Sequence, residues 1–122
     1  MENSIEAIIR VILSLINIDG IVHEKENILK SELFQKFNNL SDNQVKAEEL
    51  ITFEKKFYDD LAQAKKDGDI NNFFKDQLFS ITDPYLSSTL LISLISLAKS
   101  DNEYHHLEKG YIELASKVWG SL

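Results

Sequence analysis

The chain has 122 residues, 43% of them hydrophobic, no cysteine, and a formal charge of −7 from 20 acidic and 13 basic side chains. That length is one domain able to bury a core unaided, and the missing thiols exclude disulfides, thiolate zinc sites and thiol catalysis. The acidic balance argues against nucleic acid as a partner, because release of counterions from phosphates needs clustered cations; Lys55-Lys56 and Lys65-Lys66 are each followed closely by Asp.

The start, Met1-Glu2-Asn3-Ser4-Ile5-Glu6, is acidic, where a secretory leader begins with positive charge. Ile5, Ile8, Ile9, Ile12, Leu15 and Ile16 recur at helical spacing and predict a first helix that stops at Gly20. A second helix opens near His23 or Glu24, turns Ile28, Leu29, Leu33 and Phe37 inward, and ends at Asn38-Asn39. Ser41-Asp42-Asn43-Gln44 has the spacing of a capping box, with a hydroxyl and an amide three residues apart. It predicts that the next segment starts at Asp42 and runs to about Lys66, with Leu50, Phe53, Phe57 and Leu61 on one face. One long helix or two joined by a kink satisfy that pattern equally.

Lys65-Lys66-Asp67-Gly68 closes this segment, with cations in the last turn and Gly as the stop. Asp69 is placed to cap a short helix carrying Ile70, Phe73, Phe74 and Leu78. Asp83-Pro84 is a helix start, Asp at the cap and Pro at the first helical position. The helix that follows, to about Lys99, is apolar nearly all round, which predicts the buried central helix. Its longest apolar stretch, Leu90 to Ala98, is broken by Ser93 and Ser96 and is too short for a bilayer, which takes ~20 residues. Thr89, Ser93, Ser96 and Ser100 form a small-residue stripe, read as close packing with hydroxyls bonding back to the preceding turn. A last helix runs from about His106 to Trp119. No strand pattern or linker stands out. The expected architecture is all-α: one compact domain over residues 1–122, with six to seven helices and pseudo-twofold related hairpins at its two ends.

One short signature occurs twice. Leu15-Ile16-Asn17-Ile18-Asp19-Gly20 leads to Glu26, and Leu97-Ala98-Lys99-Ser100-Asp101-Asn102 leads to Glu108. In each, an apolar helical run ends at an Asp, a turn-forming residue follows, and a Glu stands seven positions after the Asp. Both acids recur 82 positions on, 19 to 101 and 26 to 108, and so does the pair His23 and His105. Two readings fit. A Glu about three residues into a helix can bond the free backbone donors at the cap and complement the helix dipole, in which case the repeat is one helical hairpin used twice. Alternatively the two turns approach each other, and Asp19, Glu26, Asp101 and Glu108 together hold a divalent cation. A hard cation such as calcium takes six to eight oxygens, so neither turn suffices alone. The spacing is not that of a twelve-residue EF-hand loop.

The second unit is richer in donors: Glu103, His105 and His106 accompany its two acids, while His23 and Glu24 lie in the first. Imidazole beside carboxylate suits zinc, nickel, copper or manganese. The runner-up function is therefore a metal-dependent enzyme built on residues 101–108. Glu103-Tyr104-His105-His106 contains a Glu-x-x-His, but the di-iron bundle needs two such motifs and the first unit has Ile21 opposite Glu103. No Gly-x-Ser-x-Gly or phosphate-cradling loop is present.

At these residues the sequence resembles the TerB-like tellurite-resistance family, in which an apolar helix ends in Ala-x-Ala-Asp-Gly-x-(Ile/Val) with a Glu a few residues on. Ile18-Asp19-Gly20-Ile21-Val22 through Glu26 is similar to that pattern, and Ala98-Lys99-Ser100-Asp101-Asn102 through Glu108 to the family's C-terminal copy. The chain departs from it at Asn102, where Gly is usual, and at Asn17-Ile18, where small residues are usual. The resemblance implies an all-helical fold over the whole length. It also implies a largely bacterial, cytoplasmic, non-enzymatic stress-response module that senses or binds metal and assembles with membrane-linked protein partners without entering the membrane. The family's acidic positions carry over to Asp19, Glu26, Asp101 and Glu108.

Overall fold

Six helices form among the residues described by the computed structural model, which are 4–18, 20, 24–41, 44–99 and 106–120. They are α1 (Ser4–Asn17), α2 (Glu24–Leu40), α3 (Ala47–Lys66), α4 (Ile70–Phe79), α5 (Pro84–Ala98) and α6 (His106–Val118). No strand occurs among the described residues, and the helices pack as one all-α bundle around a common core. No described helix is long and apolar enough to cross a membrane.

The central helix is α1, which touches all five of the others. Besides the expected face, Val11, Leu13 and Ser14 are buried, so α1 is enclosed on nearly every side. Isoleucine is a middling helix former, and packing rather than propensity holds this helix: each buried side chain contributes about 1.5–3 kcal/mol relative to exposure. The expectation that α5 would be central is corrected. It packs on α1, α2 and α6 only along one side, leaving Tyr85 71% and Ile92 67% exposed. Lack of charge along α5 is thus not a mark of burial. Conversely, the cation on α1 did not prevent it. Arg10 donates to Gln77 Oε1 at 2.8 Å and to Asp60 Oδ2 at 3.0 Å, and its guanidinium lies over the rings of Phe57 and Phe73. A planar, fully donating guanidinium is suited to such an enclosed place.

On α2, Phe34 and Phe37 are buried and Leu29 and Leu33 pack against the core. Ile28 does not join them and is 59% exposed. It stands nine residues from Phe37, about two and a half turns, which is the opposite side of the helix. The helix also runs through Asn38 and Asn39 to Leu40. Asn38 does not end it but turns inward, donating to Val45 O at 2.9 Å while its Oδ1 accepts the Val45 N–H at 2.9 Å.

That clamp explains a second correction. The helix expected from Asp42 begins only at Ala47, after an extended Lys46 with no side-chain cap bond. Both backbone groups of Val45 are committed to Asn38, so the chain cannot coil there, whatever the local signal at Ser41 and Gln44 favours. From Ala47 the segment is a single twenty-residue helix. It ends in a Schellman motif: Gly68, at φ +70°, donates to Lys65 O, and Asp69 N–H donates to Ala64 O.

Asp69 precedes α4, but its carboxylate accepts from the Asn72 amide at 2.7 Å and makes no cap bond to the backbone. Asp83 does cap α5, accepting from Tyr85 N–H at 2.9 Å and Leu86 N–H at 3.4 Å. On the small-residue stripe, Ser93 Oγ donates back to Thr89 O at 3.1 Å as expected. Two long bonds tie the C-terminal region to α4: Tyr111 OH donates to Phe74 O at 2.9 Å, and Trp119 Nε1 donates to Leu78 O at 2.8 Å. Burial pushes the Tyr111 phenol well above its ordinary pKa, partly offset by a hydrogen bond with Ser14.

Candidate functional site

The duplicated unit begins at the end of α1. After Asn17 the chain turns through Gly20, whose φ of +79° only glycine adopts without strain, and Gly20 N–H donates to Asn17 O at 3.1 Å. The second helix then starts at Glu24. In the later unit α5 closes at Lys99, and α6 starts at His106. Asp19, His23, Asp101, Glu103 and His105 lie outside the described residues.

The described candidates divide sharply. Glu24 and His106, the first residues of α2 and α6, are exposed. Glu26 and Glu108, the third residues of the same helices, are each 1% exposed, and all four of their carboxyl oxygens are buried. Helical geometry accounts for this. Glu108 shares a face with Tyr111, Ile112 and Ala115, at three, four and seven residues on, and all three are buried. Glu26 stands in the same relation to Leu29 and Leu33, which pack on the core. The helices that carry these acids share two neighbours, α1 and α5.

A buried carboxylate is costly unless hydrogen bonds, a cation or a proton compensates it, and the effective penalty is several kcal/mol. A helix N-terminus supplies part of that compensation through its dipole. Oxygen donors of this kind also suit a hard divalent cation. Among the described residues no group of three or more acidic or His side chains is placed to hold a metal ion. Asp19 and Asp101, the acids expected to act with Glu26 and Glu108, fall outside the described residues.

Surface grooves border α5, among them one of about 270 Å³ at its start, lined by Pro84, Ser87 and Trp119. Another, of about 450 Å³, lies between α5 and α6 and is lined by Ile95, Lys99, Lys109 and Ile112. A further one, of about 170 Å³, lies between α2 and α5 and includes Leu33, Lys36, Ser93 and Leu97. Residue-by-residue reading of the sequence did not reveal them. The available signal was the absence of any Asp, Glu, Lys, Arg or His in α5, followed at once by Lys99. Comparison with known proteins finds no matching family model, no matching curated protein and no matching solved structure.

Proposed function

We propose that the protein is a non-enzymatic, cytoplasmic stress-response module of the TerB-like, tellurite-resistance kind. In this reading the two ends of the chain are pseudo-twofold related hairpins. Their acidic turns act together, through Asp19, Glu26, Asp101 and Glu108, to bind a divalent cation or the basic surface of a protein partner. Membrane-linked proteins are the expected class of partner, and His23, Glu24, Glu103, His105 and His106 are secondary contacts.

What supports the reading is the burial of Glu26 and Glu108. The repeat pairs them, they hold the same place in their helices, and each is 1% exposed. A cap alone needs no such burial, since a Glu at a helix start does its work at the surface. Two equivalent carboxylates held in the same enclosed place are the kind of oxygen donors that a divalent cation takes.

Calorimetric titration of the full chain with Ca²⁺, Mn²⁺ and Zn²⁺ tests it. The expected result is a saturable heat with one of these ions and a rise in Tm that chelator reverses. Binding to the folded state alone adds about 2.7 kcal/mol at a hundredfold excess over Kd. No heat and no shift in Tm at millimolar metal would remove the cation from the proposal.

A further inference from the structure

We propose that the outward face of α5 is a self-association surface. A second copy of the chain seats its own α5 on it, antiparallel, with Tyr85 of each copy packed on Ile92 of the other. The face consists of Tyr85, Ser88, Ile92 and Ser96, all exposed, edged by the half-buried Thr89 and Ile95. Steps of three and four residues keep these side chains on one side of the helix. Tyr85 is 71% and Ile92 67% exposed. Of the six helices, α5 alone carries no Asp, Glu, Lys, Arg or His.

Charge selects a second copy as the occupant. At −7 two copies repel one another, and a charged side chain at the centre of a contact has to be desolvated. Among the helices only α5 lets two copies meet with no charge between them. A partner recognised by charge finds nothing on this face to bind. The composition is also that of an interface core, where aromatic side chains are enriched and charged ones depleted.

The register suits a twofold axis. Tyr85 and Ile92 stand equally far on either side of the pair Ser88-Thr89. With an axis crossing α5 at that pair, the contact of Tyr85 with Ile92 is made twice, once in each direction. The two large exposed side chains of the helix then cover each other. The short side chains at the crossing let the helices come close, because side-chain size sets interaxial distance. Beyond the start of α5 the apolar surface continues, since Phe79, 56% exposed, lines a groove with Pro84. Ile95 and Ser96 of the second copy pass over this region. A contact centred on one helix of 15 residues is at the small end of specific interfaces, which bury roughly 800 Å² per partner, so the association is weak. It is separate from the paired acids and stands or falls independently of them.

Sedimentation equilibrium of the full chain between about 10 μM and about 1 mM tests the assignment. The expected mass rises from 14.0 kDa towards twice that value. Added NaCl tightens the association, because it screens the repulsion between copies. Ile92→Lys and Tyr85→Lys each weaken it by about tenfold or more, at unchanged Tm in dilute protein. Ile51→Lys, at an equally exposed site on α3, has no effect. The chain has no cysteine, so disulfide trapping reads the register directly. Under mild oxidation Ser88→Cys forms a covalent dimer, and so does an equal mixture of Tyr85→Cys and Ile92→Cys. Tyr85→Cys alone does not, because its two copies lie about 10 Å apart along the helix axis. The assignment is overturned by a single 14.0 kDa species at the highest concentration, by an association that Ile92→Lys leaves intact, or by trapping of Tyr85→Cys alone as fast as Ser88→Cys. A chain that stays monomeric yet binds phosphatidylcholine vesicles through Tyr85 and Ile92 overturns it in favour of a lipid surface.

Discussion

Glu26 and Glu108 occupy the same place in two helices 82 positions apart: each is the third residue of its helix, and each is 1% exposed. Both helices pack on the same two neighbours, α1 and α5. The repeat in the sequence is therefore also a repeat of environment, and what the two acids have in common is enclosure.

Asn38 should be among the most sensitive polar residues outside the paired acids. Replacing it with Ala strands both backbone groups of Val45, which now bond its side chain at 2.9 Å. The expected loss is about 1–3 kcal/mol, read from urea unfolding. Asn38→Asp keeps the acceptor for the Val45 N–H but sets a carboxylate against its carbonyl, so it should recover only part of that loss.

Two glycines should respond in opposite directions. Gly110 lies inside α6, its φ is not positive, and an added Cβ meets nothing within 4 Å. Gly110→Ala should stabilise by about 0.5–1 kcal/mol. Gly68, at φ +70°, also has open space around it. There the strain lies in the backbone, and Gly68→Ala should destabilise by about 1–2 kcal/mol. Thermal melts of the two variants side by side check both signs.

How much was legible before the fold was known depends on how local the cause is. The α1 repeat of isoleucines, the Asp83-Pro84 cap and the Gly68 stop all act within one or two turns, and each has the expected role. The late start of α3 was not legible, because a side chain on α2 overrides the local pattern at Ser41 and Gln44. The exchange of central roles between α1 and α5 has a similar origin. Arg10 is accommodated by Asp60, Gln77 and two rings on other helices, and nothing near it in sequence announces them. Burial of the two glutamates was legible in principle. The spacing of Glu108 to Tyr111, Ile112 and Ala115 already puts it on the apolar face of its helix.

Tyr111 supplies a pH dependence. Burial raises its folded-state pKa above the ordinary value of 10.0, so the native protein keeps a proton that the unfolded chain loses. Its contribution is fully present below about pH 10 and is lost as pH rises beyond that, by up to about 1.4 kcal/mol per pH unit. Tyr111→Phe removes this slope. At neutral pH it costs about 1 kcal/mol for the bond to Phe74 O. Denaturant melts at pH 7 and pH 11 should show the gap between wild type and Tyr111→Phe closing at the higher pH.

Melts of the wild type, Glu26→Gln, Glu108→Gln and the double variant, in chelator and in the metal that binds best, test the shared-cation account most directly. The account predicts a metal-dependent rise in wild-type Tm that either single substitution abolishes. In chelator each substitution should stabilise, because removing one of the gathered like charges relieves their repulsion, and the two effects should not add. Melts indifferent to metal in all four proteins, with two destabilisations of about 1 kcal/mol that add within about 0.5 kcal/mol, would contradict it and leave both glutamates as helix caps.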